Sequence, residues 1–365
     1  MYDYIAKFMA EFNLIYKSMK ATEHSYDENN LSSYHLEGDI WTHTMMVTRL
    51  AEMSSDDLKF QISALLHDIG KPASASFKHD KKKKHFIGHE GMSAYLALDY
   101  INSLDEYDTA DKKYMFKLIA LHGILYKYKD SYQLETKLIE MFKYDSEFFM
   151  QLLKLNWCDQ NGRIGIHQKT NLVEHIESYR NVLDNILKMN YRGIDETKKN
   201  LVLLVGPPGS GKTTYAQNLV NTPESPITRI SRDNLLMTEN TFGYAETYNE
   251  RWKYFQELDG FKSIDAKLSK AIGAASKDKK DNIVIDMTNM STKSRRKIIG
   301  QFNRSVYNVH IKLFATSYGT LLLRNAERAL NEEKSISNEV LLDMLKRFNY
   351  PTQDEFETIE VICSI

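Results

Sequence analysis

Apolar residues recur at helical spacing over positions 2–20, where Tyr4, Ile5, Phe8, Phe12, Ile15, Tyr16 and Met19 form one stripe. The expectation there is a core-packing helix. A polar stretch follows from Thr22 to Ser33, and from Trp41 to about Lys188 nearly every segment reads as helix. Breaks fall at Gly70-Lys71-Pro72, around 79–88, near 105–108 and at Asn161-Gly162. This half carries no internal repeat and no strand signal. The pattern changes after a polar stretch from Tyr191 to Asn200 that contains Gly193. Runs at 201–205, 227–230, 283–285 and 309–314 then read as strands. They alternate with helical runs at 214–220, roughly 248–276, 293–302, 318–330 and 338–348. Such alternation predicts a parallel sheet with helices on both faces and ligands at the carboxyl ends of the strands. The expected fold class is multidomain: an all-α domain over residues 1–192, then an α/β domain over 197–365.

Composition leaves this picture standing. The chain has 365 residues, enough for two cores, with 42% hydrophobic and 27% charged residues. No apolar run approaches a membrane span, and Asp3, Lys7 and Glu11 interrupt any signal-peptide pattern. With only Cys158 and Cys363 there is no disulfide framework, so a cytoplasmic setting and no membrane partner are expected. Net charge is −1. Up to Glu196 there are 24 basic and 29 acidic residues; beyond it, 24 basic and 20 acidic. Neither half has the broad basic face that coats nucleic acid, although recognition of a chain end is allowed. The lysine run 81–84 reads as a solvated loop, with contact to a phosphate backbone as the alternative. Ten of the eleven histidines precede residue 180.

Chemistry is most legible at 206–213, Gly-Pro-Pro-Gly-Ser-Gly-Lys-Thr, after the apolar run Leu201-Val202-Leu203-Leu204-Val205. The spacing is that of a phosphate loop. Gly206, Gly209 and Gly211 let the backbone wrap a phosphate chain, and the N–H groups through Ser210, Thr213 and Thr214 face the anion. Lys212 is expected to reach the β/γ-phosphates and Thr213 to hold Mg²⁺. ATP or another nucleoside triphosphate with Mg²⁺ is the implied ligand.

The first half carries His43, His67-Asp68, His89, His122 and Asp159. Imidazoles and carboxylates together suit Mn, Ni, Zn, Fe or Co, and such ions lower the pKa of bound water for phosphoester cleavage. This order resembles the HD phosphohydrolase superfamily in its six-ligand, two-metal form. The resemblance implies one ion on His43, His67, Asp68 and Asp159, and a second on His89, His122 and a bridging Asp68. It also implies that Lys71 and Arg163 bind substrate phosphate. His24, His35, His79, His85, His167 and His175 lack this context and read as surface or packing residues, His79 and His85 with a second reading as rim of the site.

Beyond the phosphate loop, the second strand ends in Ser231-Arg232-Asp233, where a carboxylate suits a base for an attacking hydroxyl. The third ends in Asp286-Met287-Thr288-Asn289, where Asp286 suits Mg²⁺ or its waters. For both aspartates a helix N-cap is the structural alternative. Arg324 and Arg328, four apart on a helix, share a face and suit charge stabilisation at a transferring phosphoryl group. These features look like the polynucleotide 5′-kinase branch of phosphate-loop enzymes, as do Ile336-Ser337-Asn338 to Met344 and Tyr350-Pro351. One departure is Leu236, where the phage kinase pattern has an arginine for the acceptor's 3′ phosphate; Arg232, Arg251 or Arg295 could substitute.

An HD phosphohydrolase ahead of a polynucleotide kinase resembles the bifunctional HD-Pnk end-healing enzymes. That resemblance implies an all-α HD domain followed by an α/β P-loop kinase domain, acting on RNA or DNA ends. It implies removal of a 2′,3′-cyclic phosphate or a 2′- or 3′-phosphate, and phosphorylation of a 5′-OH. A separate ligase is the implied pathway partner. Two other readings stay open: an HD nucleotidase fused to a nucleoside or small-molecule kinase, and a module in which nucleotide binding gates the HD domain.

Overall fold

In the computed structural model the chain divides into two units, one of Met1–Tyr191 with Leu345–Asp354, the other of Arg192–Met344 with Glu355–Ile365. The structure describes residues 1–24, 35–78, 83–128, 133–165, 169–191, 193–221, 226–279, 281–331, 334 and 336–364. His79, Lys81, Lys82 and His167 lie outside the described residues. No helix among the described residues is long and apolar enough to cross a membrane.

Helices dominate the first unit, and short acidic side chains start several of them. Asp39 caps Ile40–Ser54 by accepting from the Thr42 N–H at 2.8 Å. Asp57 and Asp108 do the same for Leu58–Leu66 and Thr109–Leu121. The stripe expected as one helix over 2–20 is two, Tyr2–Glu11 and Asn13–Ala21, because Phe12 leaves helical geometry at φ −109° and ψ 37°. The break lets the Phe8 ring stack on both Phe12 and Trp41, each at 5.9 Å. One expectation fails here. A short antiparallel hairpin, β1 (Ser76–Lys78) and β2 (Lys83–His85), occupies the helix break. Strands of three residues are too short for an alternation signal. At Gly70 a Cβ would lie 2.4 Å from the Ser93 nitrogen, so only glycine lets the Lys71 turn approach helix His89–Asn102. Within this unit Phe348 and Tyr350 pack on Phe116, and Phe348 also on Tyr95 at 5.1 Å.

The second unit is built on five parallel strands: β3 (Lys199–Val205), β4 (Ile227–Ser231), β5 (Asn282–Asp286), β6 (Tyr307–Thr316) and β7 (Thr358–Ser364), in the order β4-β5-β3-β6-β7. The α/β expectation holds, with β7 and helix Arg232–Thr238 as additions. Both are only seven residues long. The helical run expected over 248–276 is two helices, Tyr248–Asp259 and Lys262–Asp278, divided where Gly260 and Phe261 take φ of 63° and 67°. Register sets Ser231 opposite Asp286, which brings the carboxyl ends of β4 and β5 to the same level.

Arg295 is fully buried and grips Glu355 through two bonds, Nε to Oε2 at 2.7 Å and Nη2 to Oε1 at 3.0 Å. Its Nη1 donates to the Asn289 and Met290 carbonyls, both at 3.1 Å. Asn289, at φ 45°, donates from Nδ2 to the Leu204 carbonyl, and the Thr288 carbonyl accepts from the Gly206 N–H, both at 2.9 Å. Arg295 therefore braces the segment that backs the phosphate loop, and it is not available to an acceptor. Glu355→Ala strands this charge and is expected to cost about 3–5 kcal/mol. Glu360→Ala, which breaks the half-exposed Lys312–Glu360 pair, should cost less than about 1 kcal/mol. Urea denaturation of the full chain followed by circular dichroism separates the two.

Candidate functional site

Six side chains from five segments of the first unit converge. His43 stands in Ile40–Ser54, His67 closes Leu58–Leu66, His89 opens His89–Asn102, His122 closes Thr109–Leu121, and Asp159 lies in the last turn of Ser146–Asn161. Asp68 is central. Its Oδ2 lies 3.1 Å from His67 Nε2 and 3.7 Å from His43 Nε2; its Oδ1 lies 3.3 Å from His89 Nε2 and 3.7 Å from His122 Nε2. Donor atoms of His43, His67 and Asp159 lie within 4.8 Å of one another, as do those of Asp68, His89 and His122.

The ring orientations share one cause. His67, His89 and His122 each donate Nδ1–H at 2.7 Å to the carbonyl three residues earlier, of Ala64, Phe86 and Ile119. In the neutral ring each Nε2 then carries a lone pair toward the centre. His89 and His122 Nε2 face each other at 3.1 Å, and His67 Nε2 is buried without a hydrogen-bond partner. Opposed acceptors of this kind call for a cation, so the residues fit a pair of divalent metals. His43, His67, Asp68 and Asp159 would hold one, and Asp68, His89 and His122 the other.

A second layer supports them. Burial works against ionisation of Asp68 and Asp159, but His67 and Lys71 beside Asp68, and Arg163 and His43 beside Asp159, hold both carboxyls well below the usual range. Lys71 Nζ is 2.6 Å from Asp68, and Arg163 Nη2 donates to Asp159 Oδ2 at 2.7 Å. The Arg163 guanidinium lies over the Tyr126 ring at 4.7 Å. Lys71 also donates to His24 Nε2 at 3.1 Å. Glu37 Oε1 lies 3.0 Å from His43 Nδ1 and 2.6 Å from His35 Nδ1. His24 and His175 are buried packing residues and His35 is half-buried, and His24 and His35 adjoin the site. His24, His35 and Glu37 bring donor atoms within 4.8 Å. The two rings, however, are stacked at 4.1 Å and 6°. Their in-plane lone pairs occupy separate planes, which suits a brace better than a shared ion. Sequence reasoning missed Glu37 and Tyr126; their only signals were proximity to His43 and a four-residue step from His122.

In the second unit, Gly209 and Gly211 take φ of 84° and 94°, and Gly211 precedes helix Lys212–Val220. Lys212 Nζ donates to the Pro207 carbonyl at 2.6 Å and Ser210 Oγ at 3.2 Å, and burial lowers it to about 7. Gly209, Gly211, Lys212, Thr213 and Thr214 line a cleft of about 310 Å³ with Asp233, Asp286, Arg328 and Lys334. Neither aspartate is a helix cap: Ser231 caps Arg232–Thr238, and Ser291 caps Thr292–Ile299. Asp286 Oδ2 accepts from Arg229 Nη2 at 2.6 Å. Asp233 accepts from Tyr248 OH at 2.9 Å and Lys334 Nζ at 2.6 Å. Burial opposes its charge, but Lys334 outweighs it and holds the carboxyl below its ordinary value. Arg324 Nη1 donates to the Gly209 carbonyl at 3.1 Å. Leu236 is fully buried against Phe255 and Ile264. Of the proposed substitutes, Arg251 binds the Leu236, Glu239 and Glu246 carbonyls, and Arg232 pairs with Asp265. Lys334 was missed because its partner is 101 residues away.

Residues 40–143 match the family described as HD domain, and residues 201–351 match the AAA domain family. The chain thus joins an HD domain to a P-loop kinase-like domain. Among curated proteins none matches. Many solved structures are distantly similar, three among them as follows. A Pnkp1/Rnl/Hen1 complex shares 22% identity over 36% of this chain and 41% of that one, with TM-score 0.27. Chaetomium thermophilum Kti12 with ADP-AlF3 shares 15% over 45% and 88%, with TM-score 0.32. A gluconokinase from Sinorhizobium meliloti 1021 shares 19% over 45% and 82%, with TM-score 0.28. This chain spans less than half of the first of these. Such distant likenesses carry no weight for activity.

Since Glu37 orients His43, Glu37→Gln is expected to weaken metal retention about 10- to 100-fold. Competition against a chelator, read by elemental analysis, measures it. His67→Ala should lose the ion shared with His43 and Asp159 and lower the metal content by about half.

Proposed function

We propose that this protein heals both ends of a broken RNA strand. The HD half removes a 2′,3′-cyclic phosphate, or a 2′- or 3′-phosphate, and the P-loop half transfers the γ-phosphate of ATP to a 5′-OH. The observation that carries this reading is one chain holding two separate phosphate-handling sites, the six-donor cage around Asp68 and the cleft that joins Lys212 to Asp233.

In the HD half, bound divalent metals would supply a water of lowered pKa and neutralise phosphate charge. Lys71 and Arg163 would orient the phosphate, each already beside a ligand carboxylate. In the kinase, Asp233 would accept the proton of the 5′-OH as its oxygen attacks the γ-phosphorus and the bond to the β,γ-bridging oxygen breaks. Lys212, Arg324 and Arg328 would steady the transferring group, with Mg²⁺ held at Thr213 and Asp286. The products, a 3′-OH and a 5′-phosphate, are what a separate ligase requires. The protein would work in the cytoplasm.

The burial of Leu236, where an acceptor-binding arginine was expected, favours a second reading, a nucleoside or small-molecule kinase fused to an HD nucleotidase. RNA with 5′-OH and 2′,3′-cyclic phosphate ends, offered with labelled ATP and Mn²⁺ or Mg²⁺, separates the two. Label on the strand and loss of the cyclic phosphate support end healing; label only on free nucleosides supports the alternative. Asp233→Ala is expected to abolish strand labelling and spare phosphate removal, and His67→Ala to do the reverse. Lys334→Met removes the charge that holds Asp233 low, so the acidic limb of the kinase pH profile should move to higher pH.

A further inference from the structure

Around helix Tyr248–Asp259 lies a belt of aromatic side chains in two groups, of which Tyr248 also lines the phosphate cleft. It starts at Tyr248, whose hydroxyl bonds Asp233, and the Tyr248 ring stacks on Trp252 at 6.2 Å and 26°. Trp252 packs on Phe261 at 4.5 Å. Tyr244 stacks on Tyr254 at 6.4 Å and 10°, yet is 80% exposed. Phe242 is 76% exposed and is held at φ 54°, with its N–H bonded to Asn240 Oδ1 at 2.8 Å. A non-glycine residue in that region costs energy, here to keep an apolar ring in water. Two cations are set against these rings: Arg232 over Trp252 and Phe261 at 5.6 and 4.7 Å, and Lys334 over Tyr248 at 4.6 Å.

We infer that this belt binds the first nucleotides of a single nucleic-acid strand by base stacking on Tyr244 and Trp252, with Arg232 attracting the backbone phosphates. The inference rests on the kinase reading and supplies the acceptor contacts that Leu236 cannot. Exposed aromatic faces interleaved with cations are the chemistry of sequence-tolerant single-strand binding. The hydrogen bond from Tyr248 to Asp233 fixes where the strand must begin, with its 5′-OH at the base. A protein partner is the less favoured occupant, because Lys334, over the Tyr248 ring, lines the phosphate cleft.

The test uses the full chain and a 5′-OH decaribonucleotide labelled at its 3′ end. Anisotropy measures binding without turnover, and KM is measured in parallel. Trp252→Ala and Tyr244→Ala are each expected to weaken binding about tenfold or more, with KM rising alike and the effect growing from a dinucleotide to the decamer. Leu258→Ala, an exposed apolar position on the same helix, is expected to bind as the unaltered chain does. Unchanged binding in both aromatic variants, while the unaltered chain phosphorylates the strand, overturns the belt and leaves the kinase reading intact. Absence of strand binding and labelling by the unaltered chain overturns both. Weakening matched by equal loss of ATP affinity or of thermal stability also overturns the belt, since it would mark a packing role.

Discussion

The cost of taking Asp68 out of water governs the first unit. A buried carboxylate is tolerated only when positive charge and hydrogen bonds surround it. Here Lys71 supplies the adjacent charge, and four imidazoles ring the carboxylate, each aimed by a local bond to backbone or by a second carboxylate. The three bonds from imidazole Nδ1 to the carbonyl three residues back matter most, since they use up one nitrogen of each ring and leave the other no role but coordination. Helix ends appear at this site because chain reversal exposes the carbonyls those rings need.

The P-loop unit solves the opposite problem, a cleft rich in cations. Lys212 is buried on carbonyl and hydroxyl oxygens, and burial has already drawn its pKa down to about 7. An incoming triphosphate supplies the missing negative charge. Two braces hold the walls: Arg295 with Glu355 behind the loop, and the reciprocal bonds between Asn325 and Ile336 across the segment that carries Lys334.

Much of this was legible in the sequence because it is local. The phosphate loop is contiguous, the strand runs 201–205 and 283–285 are unbroken apolar, and His67-Asp68 ends the apolar helical run 62–66. What escaped is non-local or short. Lys334 meets Asp233 through space, Glu37 matters only because its chain passes His43, and Arg295 looked like a candidate ligand until Glu355, 60 residues away, met it. The hairpin, β7 and helix Arg232–Thr238 are three to seven residues each, too few for periodicity to declare itself. Phe348 ends, and Tyr350 follows, a helical run assigned to the second domain, and only packing assigns their segment to the helical unit.

Both oxygens of Asp233 are engaged in this structure, one by Tyr248 and the other by Lys334. One donor on each oxygen leaves each a further lone pair for an arriving hydroxyl. On the proposed chemistry, the two donors keep Asp233 ionised, so the carboxylate stands ready as a proton acceptor before any hydroxyl arrives.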